Sequence, residues 1–229
     1  MDFEAFLRPT ATIESEHPAV RAFIEAQGAA DVADPVECAV RLYYAVRDGF
    51  RYNPYEIDMS VKGLKATTTL ATGQGWCVSK AILLAACCRA QGIPASLGFA
   101  DVRNHLSTER MRQHMKTDLF YWHGYTAVYL NGRWLKATPA FNIELCEKFR
   151  LRPLAWNGRE DSIYHPFDLD GNQHMEYLNL RGEFADVPIA AISKTFREEY
   201  DFIELLGEGE DFDADVEQEV KREIGDSFV

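Results

Sequence analysis

The chain has 229 residues, 47% of them apolar, including 14 Phe, 10 Tyr and 4 Trp, which is enough for one packed domain and excludes global disorder. A net charge of −12 argues against a phosphate-binding surface for nucleic acid. The five cysteines are odd in number, lack a CxxC pair and include adjacent Cys87 and Cys88, so they form neither a disulfide framework nor a zinc set. No apolar run approaches the roughly 18 residues of a membrane helix, and Met1-Asp2-Phe3-Glu4 lacks a signal-peptide pattern. The expectation is a cytoplasmic protein with no membrane or nucleic-acid partner, no cofactor and no metal.

In chain order, Ser15-Glu16-His17-Pro18 opens a short helix that Gly28 closes, with proline in the first turn. Asp34-Pro35 opens a second, with Val36, Val40, Tyr43, Tyr44 and Arg47 at helical spacing and an end near Gly49. Phe50-Arg51-Tyr52-Asn53-Pro54-Tyr55 reads as an extended exit. A loop of small and polar residues through Thr67-Thr68-Thr69 leads to a third helix, which begins at Cys77 and stops at Gly92. Its Ala81, Leu84, Ala85 and Cys88 form an apolar stripe for packing on a sheet, and its Lys80 faces solvent. Ile93–Phe99 is a strand. The polar stretch 101–118 holds a short helix around Thr108–Met115. Tyr121–Leu130 and Arg133–Ala137 form a hairpin about Asn131-Gly132, a strong turn signal. Asp170-Gly171 marks a second turn, between strands at Ile163–Leu169 and Asn172–Leu178.

Helices early and antiparallel strands late indicate an α+β fold, with N-terminal helices and a central helix packed on an antiparallel sheet. A single domain over 1–203 is expected, followed by an acidic tail or helix over 204–229. That segment carries ten acids and two bases, which reads as a solvated helix or a flexible end.

Cys77 carries the chemistry. It follows Gly73-Gln74-Gly75-Trp76 and opens a helix, where free N–H groups and partial positive charge favour a thiolate. A thiol pKa below the ordinary value of about 8.5 is therefore expected. Cys38, Cys87, Cys88 and Cys146 read as buried packing residues. His123 starts the first hairpin strand and is the candidate base. With a two-residue turn at Asn131-Gly132, His123 lies opposite Ala140, and Thr138 and Asn142 are its diagonal neighbours. Thr138 or Asn142 would orient the imidazole. Gln74 and Tyr52 are candidate oxyanion donors, and Trp76 a candidate cleft residue.

Other constellations are weaker. His105 and His114 recur with His123 at nine-residue intervals, which is no metal-ligand spacing. Asp168, Asp170 and Asn172 superficially suggest a calcium loop, but the glycine is out of register.

The run Gly73-Gln74-Gly75-Trp76-Cys77-Val78-Ser79-Lys80-Ala81-Ile82-Leu83-Leu84, then Arg89-Ala90-Gln91-Gly92-Ile93-Pro94-Ala95, then His123, Trp134 and Thr138-Pro139, resembles the transglutaminase-like superfamily. Phe50–Pro54 resembles its extended segment before the catalytic loop. The resemblance covers about residues 35–142. It implies a papain-like α+β core with Cys77 as nucleophile and His123 as base. The family's usual aspartate falls on Thr138, a neutral residue able to orient the ring but not to stabilise an imidazolium as a carboxylate would. The expected function is a cysteine-dependent acyl-transfer enzyme on amide bonds, of peptidase or amidase type, with a peptide-like or small amide substrate. The alternative is a binding or scaffolding module that keeps this fold without turnover.

Overall fold

Local capping accounts for the first helices of the computed structural model, which describes residues 3–104, 107–164, 167–171, 174–200 and 211–226. His105 and Asn172 lie outside these residues, as does the side chain of His114. After a one-turn α1 (Glu4–Leu7), His17 Nδ1 accepts the Ala19 N–H at 3.1 Å and starts α2 (Pro18–Ala26). Asp34 Oδ1 accepts the Val36 N–H at 3.0 Å and starts α3 (Pro35–Gly49). β1 (Arg51–Tyr52) then pairs in parallel with β2 (Gln74–Gly75).

The expected loop through Thr67–Thr69 is instead helical, as α4 (Ala66–Thr72). The acceptors for its first turn come from far away in sequence. The Thr12 carbonyl takes the Ala66 N–H at 3.0 Å, and the Glu14 carboxylate takes the Thr67 N–H at 3.1 Å and its hydroxyl at 2.6 Å. A threonine run with low helix propensity is thereby held helical by tertiary contacts.

α5 (Cys77–Ala90) is the centre of the molecule. An apolar stripe was expected, yet every residue from Cys77 to Arg89 is buried. A helix covered on all sides belongs to a core rather than to a surface layer. Lys80, expected in solvent, is fully buried. Its ammonium donates to the carbonyls of Arg47 (2.8 Å), Phe50 (2.6 Å) and Ala140 (2.7 Å). Burial pushes its pKa down to about 7, against the opposing pull of the Asp48 carboxylate. One side chain thus ties the end of α3, the approach to β1 and the chain after the hairpin to the helix that carries Cys77.

α5 packs on a four-stranded antiparallel sheet in the order β5-β4-β3-β6, made of β3 (Ala95–Asn104), β4 (Leu119–Leu130), β5 (Arg133–Ala137) and β6 (Met175–Phe184). α6 (Glu109–Met115) lies between β3 and β4, and α7 (Ile143–Lys148) follows β5. The fold is α+β. Asn131 (φ 49°) and Gly132 (φ 86°) make the two-residue hairpin turn, and Tyr129 faces Trp134 as expected. The β4–β5 ladder ends at Thr126 and Ala137, so His123 does not face Ala140; its sheet partner is Ala100 on β3. The second hairpin also differs. The strand at Met175–Phe184 pairs with β3, and the described part of 163–169 forms no strand.

α8 (Ile189–Glu199) and α9 (Phe212–Asp226) complete the described chain. The described part of the acidic segment is a helix, but not a wholly solvated one. Phe212 and Val216 are buried, and the Phe212 ring lies 5.9 Å from Tyr52 and 5.2 Å from Tyr55. Its acids meet cations of other elements: Asp213 with Arg51 (3.5 Å), Asp215 with Arg110 (2.8 Å), Glu217 with Lys148 (3.0 Å) and Glu219 with Arg112 (3.5 Å). Exposed pairs of this kind contribute about 0–1 kcal/mol each. The two buried side chains therefore anchor α9, and the charges set its register. Among the described residues, no helix is long and apolar enough to cross a membrane.

Replacing Lys80 by Met strands three buried carbonyls. Each unsatisfied group costs about 1–3 kcal/mol. Lys80→Met is expected to destabilise the protein by about 3 kcal/mol or more, measured by chemical denaturation. A loss under about 1 kcal/mol would show that the three acceptors find other partners.

Candidate active site

Cys77 is the first residue of α5. The turn before it is pinned by Ser79, whose Oγ accepts the Trp76 N–H at 3.0 Å. Opposite lies β4 at Gly124. A Cβ on Gly124 would stand 3.0 Å from Val78 Cα and 3.1 Å from Val78 Cγ2, so only glycine lets strand and helix approach this closely. One residue pair further along, the Thr126 hydroxyl donates to the Ala81 carbonyl at 2.8 Å. The backbone N–H groups of Gly124, Val78 and Cys77 itself thereby come near enough to the Cys77 sulfur to pull its pKa down. His123 is the residue before Gly124. Cys77 and His123 line one cavity of about 570 Å³.

His123 is aimed by a bulge. Ala100 faces His123, but Val102 faces Phe120, so Tyr121 and Trp122 together oppose Asp101. Trp122 has φ 61°, the left-handed region, which costs a non-glycine residue about 1–2 kcal/mol. Asp101, itself buried, holds that conformation. Its carboxylate accepts the Trp122 N–H at 3.2 Å, Asn179 Nδ2 at 3.2 Å and Arg181 Nε at 2.8 Å. The Arg181 guanidinium lies 5.0 Å over the Trp122 ring, and the indole N–H donates to Thr195 Oγ1 on α8 at 2.9 Å. No motif in the sequence pointed to Asp101 or Arg181, since they are 80 residues apart and meet through sheet pairing.

Burial dominates the electrostatics. The Cys77 thiol is pushed up to about 11 by desolvation, against the opposing pull of the Gly124 and Val78 N–H groups. The expectation of a depressed thiol is corrected: helix-end donors act on the sulfur, but loss of water outweighs them. The His123 imidazole is pushed down to about 4 by desolvation and then by His174. His123 and His174 both pack on Tyr164, with ring centroids 5.8 Å and 5.6 Å away. At neutral pH the pair is therefore a thiol and a neutral imidazole. The other cysteines are also raised by burial, and Cys77 is the most exposed of the five at 6%.

The remaining candidates fall in different places. Thr138 Oγ1 donates to the Ser162 carbonyl at 2.8 Å. Asn142 Oδ1 accepts the Tyr52 N–H at 2.9 Å, and its Nδ2 donates to Glu144 at 2.7 Å. Neither hydrogen-bonds to His123, whose buried Nε2 has no partner among the described residues. Gln74 lines the cavity, but its Nε2 is committed to Glu56 at 2.7 Å and its Oε1 accepts from Arg51 at 2.8 Å. Tyr52 and Trp76 also line the cavity. Tyr52 is electrostatically coupled to Cys77, and Trp76 stacks toward Phe196 at 6.2 Å.

Residues 24–139 match the family model of the transglutaminase-like superfamily, a span that includes both Cys77 and His123. The chain belongs to that superfamily. Among solved structures it resembles one from Cytophaga hutchinsonii described as a putative cysteine protease, at TM-score 0.51 and 18% identity. That likeness covers 84% of this chain and 50% of the other, and it supports the fold. An arylamine N-acetyltransferase from Mycobacterium abscessus matches at TM-score 0.41 and 13% identity, over 58% of this chain and 46% of that one. The chain thus spans about half the length of either neighbour. No curated protein matches it.

Two outcomes test this electrostatic picture of a transglutaminase-like pair. Alkylation of Cys77 by iodoacetamide should keep rising from pH 7 to pH 10; a plateau already reached below pH 7 would reveal a thiolate–imidazolium pair. Asp101→Asn should cost about 2 kcal/mol in denaturant unfolding, the scale of a charge-assisted hydrogen bond. It should also shift the NMR signals of the His123 ring, and an unmoved ring would show that the bulge does not position it.

Proposed function

We propose that this chain is a cysteine-dependent acyl-transfer enzyme that hydrolyses amide bonds through a Cys77 thioester. The observation that supports this most is that Cys77, the first residue of α5, and His123 on β4 line one cavity, with the Gly124 N–H near enough to pull the thiol pKa down. His123, neutral at working pH, takes the thiol proton as the sulfur attacks the carbonyl carbon. The resulting oxyanion is met by a first-turn N–H of α5, which has no acceptor within the helix. The Tyr52 hydroxyl, from the same cavity and without a hydrogen bond among the described residues, is the side-chain donor proposed with it. Collapse expels the amine, which leaves with the proton from His123. Water then attacks the thioester, gives its proton to His123, and releases the acid with the thiol restored. The substrate on this reading is a peptide-like or small amide.

Thr138 and Asn142 serve this scheme indirectly. Thr138 fixes the chain after β5 through Ser162, and Asn142 holds the Tyr52 backbone beside the cavity. The neutral surroundings of His123 favour one second reading, a binding module with little turnover, because no carboxylate among the described residues hydrogen-bonds to the ring.

Incubation with p-nitrophenyl acetate separates the two. An acetyl group should appear on Cys77 by mass spectrometry, vanish in Cys77→Ala, and form about 100-fold more slowly in His123→Ala, the usual scale of a lost general base. Wild-type protein that stays unacetylated at Cys77 favours the binding module.

A further inference from the structure

The cavity beside Cys77 has an unusual balance of charge. Its floor is apolar and aromatic, with Trp76, Phe120, Phe196, Met111 and Met115. Among the described lining residues, the side chains charged at neutral pH are Glu56 and Asp58, both carboxylates. Neither makes an ion pair among the described residues. Glu56 is held by neutral donors, Gln74 Nε2 at 2.7 Å and Asn53 Nδ2 at 3.3 Å. Asp58 Oδ1 accepts the Ser60 N–H at 2.8 Å.

Three arginines next to the lining residues are already taken. Arg51 precedes Tyr52, and it pairs with Asp211 and Asp213 (3.7 and 3.5 Å). Arg110 and Arg112 flank Met111 on α6, and they pair with Asp215 and Glu219 (2.8 and 3.5 Å). Docking of α9 thus neutralises every one of these arginines, while the two cavity carboxylates stay unneutralised. An acid on a ligand would meet repulsion here and find no cation among the described lining residues. A ligand cation would meet two carboxylates and the faces of aromatic rings, both attractive. A volume of about 570 Å³ accommodates one large side chain with its amide.

We propose that this site selects amides in which an apolar body carries a cationic group, such as a peptide amide beside a basic residue, and turns away substrates bearing a carboxylate. Glu56 and Asp58 are its specificity-determining residues, and Gln74 orients Glu56 by bridging it to Arg51. The proposal rests on Cys77 as the reacting atom, so its test must separate charge selection from thiol chemistry.

Two matched probe pairs do this. Methanethiosulfonates carrying either trimethylammonium or sulfonate report on Cys77 by mass spectrometry, with rates divided by those of a free thiol in the same buffer. The cationic reagent should react about tenfold faster at low salt. Glu56→Gln with Asp58→Asn should bring the ratio close to one, while Glu25→Gln on the exposed face of α2, which removes the same kind of charge elsewhere, should leave it unchanged. Phenethylamine and 3-phenylpropionate, compared by ligand-observed NMR on Cys77→Ala, give the same comparison without any reaction. Preferential binding of the amine, lost in the carboxylate variant, supports the proposal even if Cys77 reacts with nothing, in which case only the acyl-transfer reading falls. Equal binding of both ligands, or a preference untouched by the double substitution, overturns it.

Discussion

The site depends on one close approach: β4 crosses the N-terminus of α5 at Gly124, where there is no space for a side chain. A Cβ there would lie 3.0 Å from a helix backbone atom. Because strand and helix meet without an intervening side chain, a strand N–H comes near enough to the sulfur of the first helical residue to pull its pKa down. Everything around this contact works to hold it. Lys80 fastens α5 to three separate backbone segments, Ser79 pins the turn before Cys77, and Thr126 ties β4 to the helix one step further on.

That closeness has an electrostatic consequence. Helix-end N–H groups favour a thiolate, but a sulfur enclosed by helix, strand and aromatic rings loses more solvation than those groups return. The same burial keeps His123 neutral. The resting pair is therefore uncharged, so in the proposed reaction the proton moves as the bond forms rather than before it. A neutral surrounding of the ring is consistent with this. An orienting carboxylate would chiefly stabilise an imidazolium, and here the ring is aimed instead by its backbone, through the bulge that Asp101 and Arg181 hold at Trp122.

The acidic C-terminal helix shows how charge and burial divide their tasks. Phe212 and Val216 supply the attachment, while its acids occupy the arginines around the cavity. The cavity is left with carboxylates and no competing cation among its described lining residues. This couples a surface element, far from Cys77 in sequence, to the electrostatic character of the site.

Much of this was legible in the chain itself. Capping by His17 and Asp34, the Asn131-Gly132 turn and the helix opening at Cys77 are local matters of backbone preference and hydrogen bonding, and short stretches of sequence state them directly. The α+β class and the family follow from the order of those elements and motifs. What required the tertiary structure was everything set by residues distant in sequence: the threonine helix α4 held by Glu14, the burial of Lys80, the strand partner of β6 and the Asp101–Arg181 bulge. The protonation state of Cys77 belongs with these. A helix N-terminus by itself lowers a thiol pKa, but how much water remains around the sulfur is a property of the packed molecule, and here desolvation outweighs the dipole.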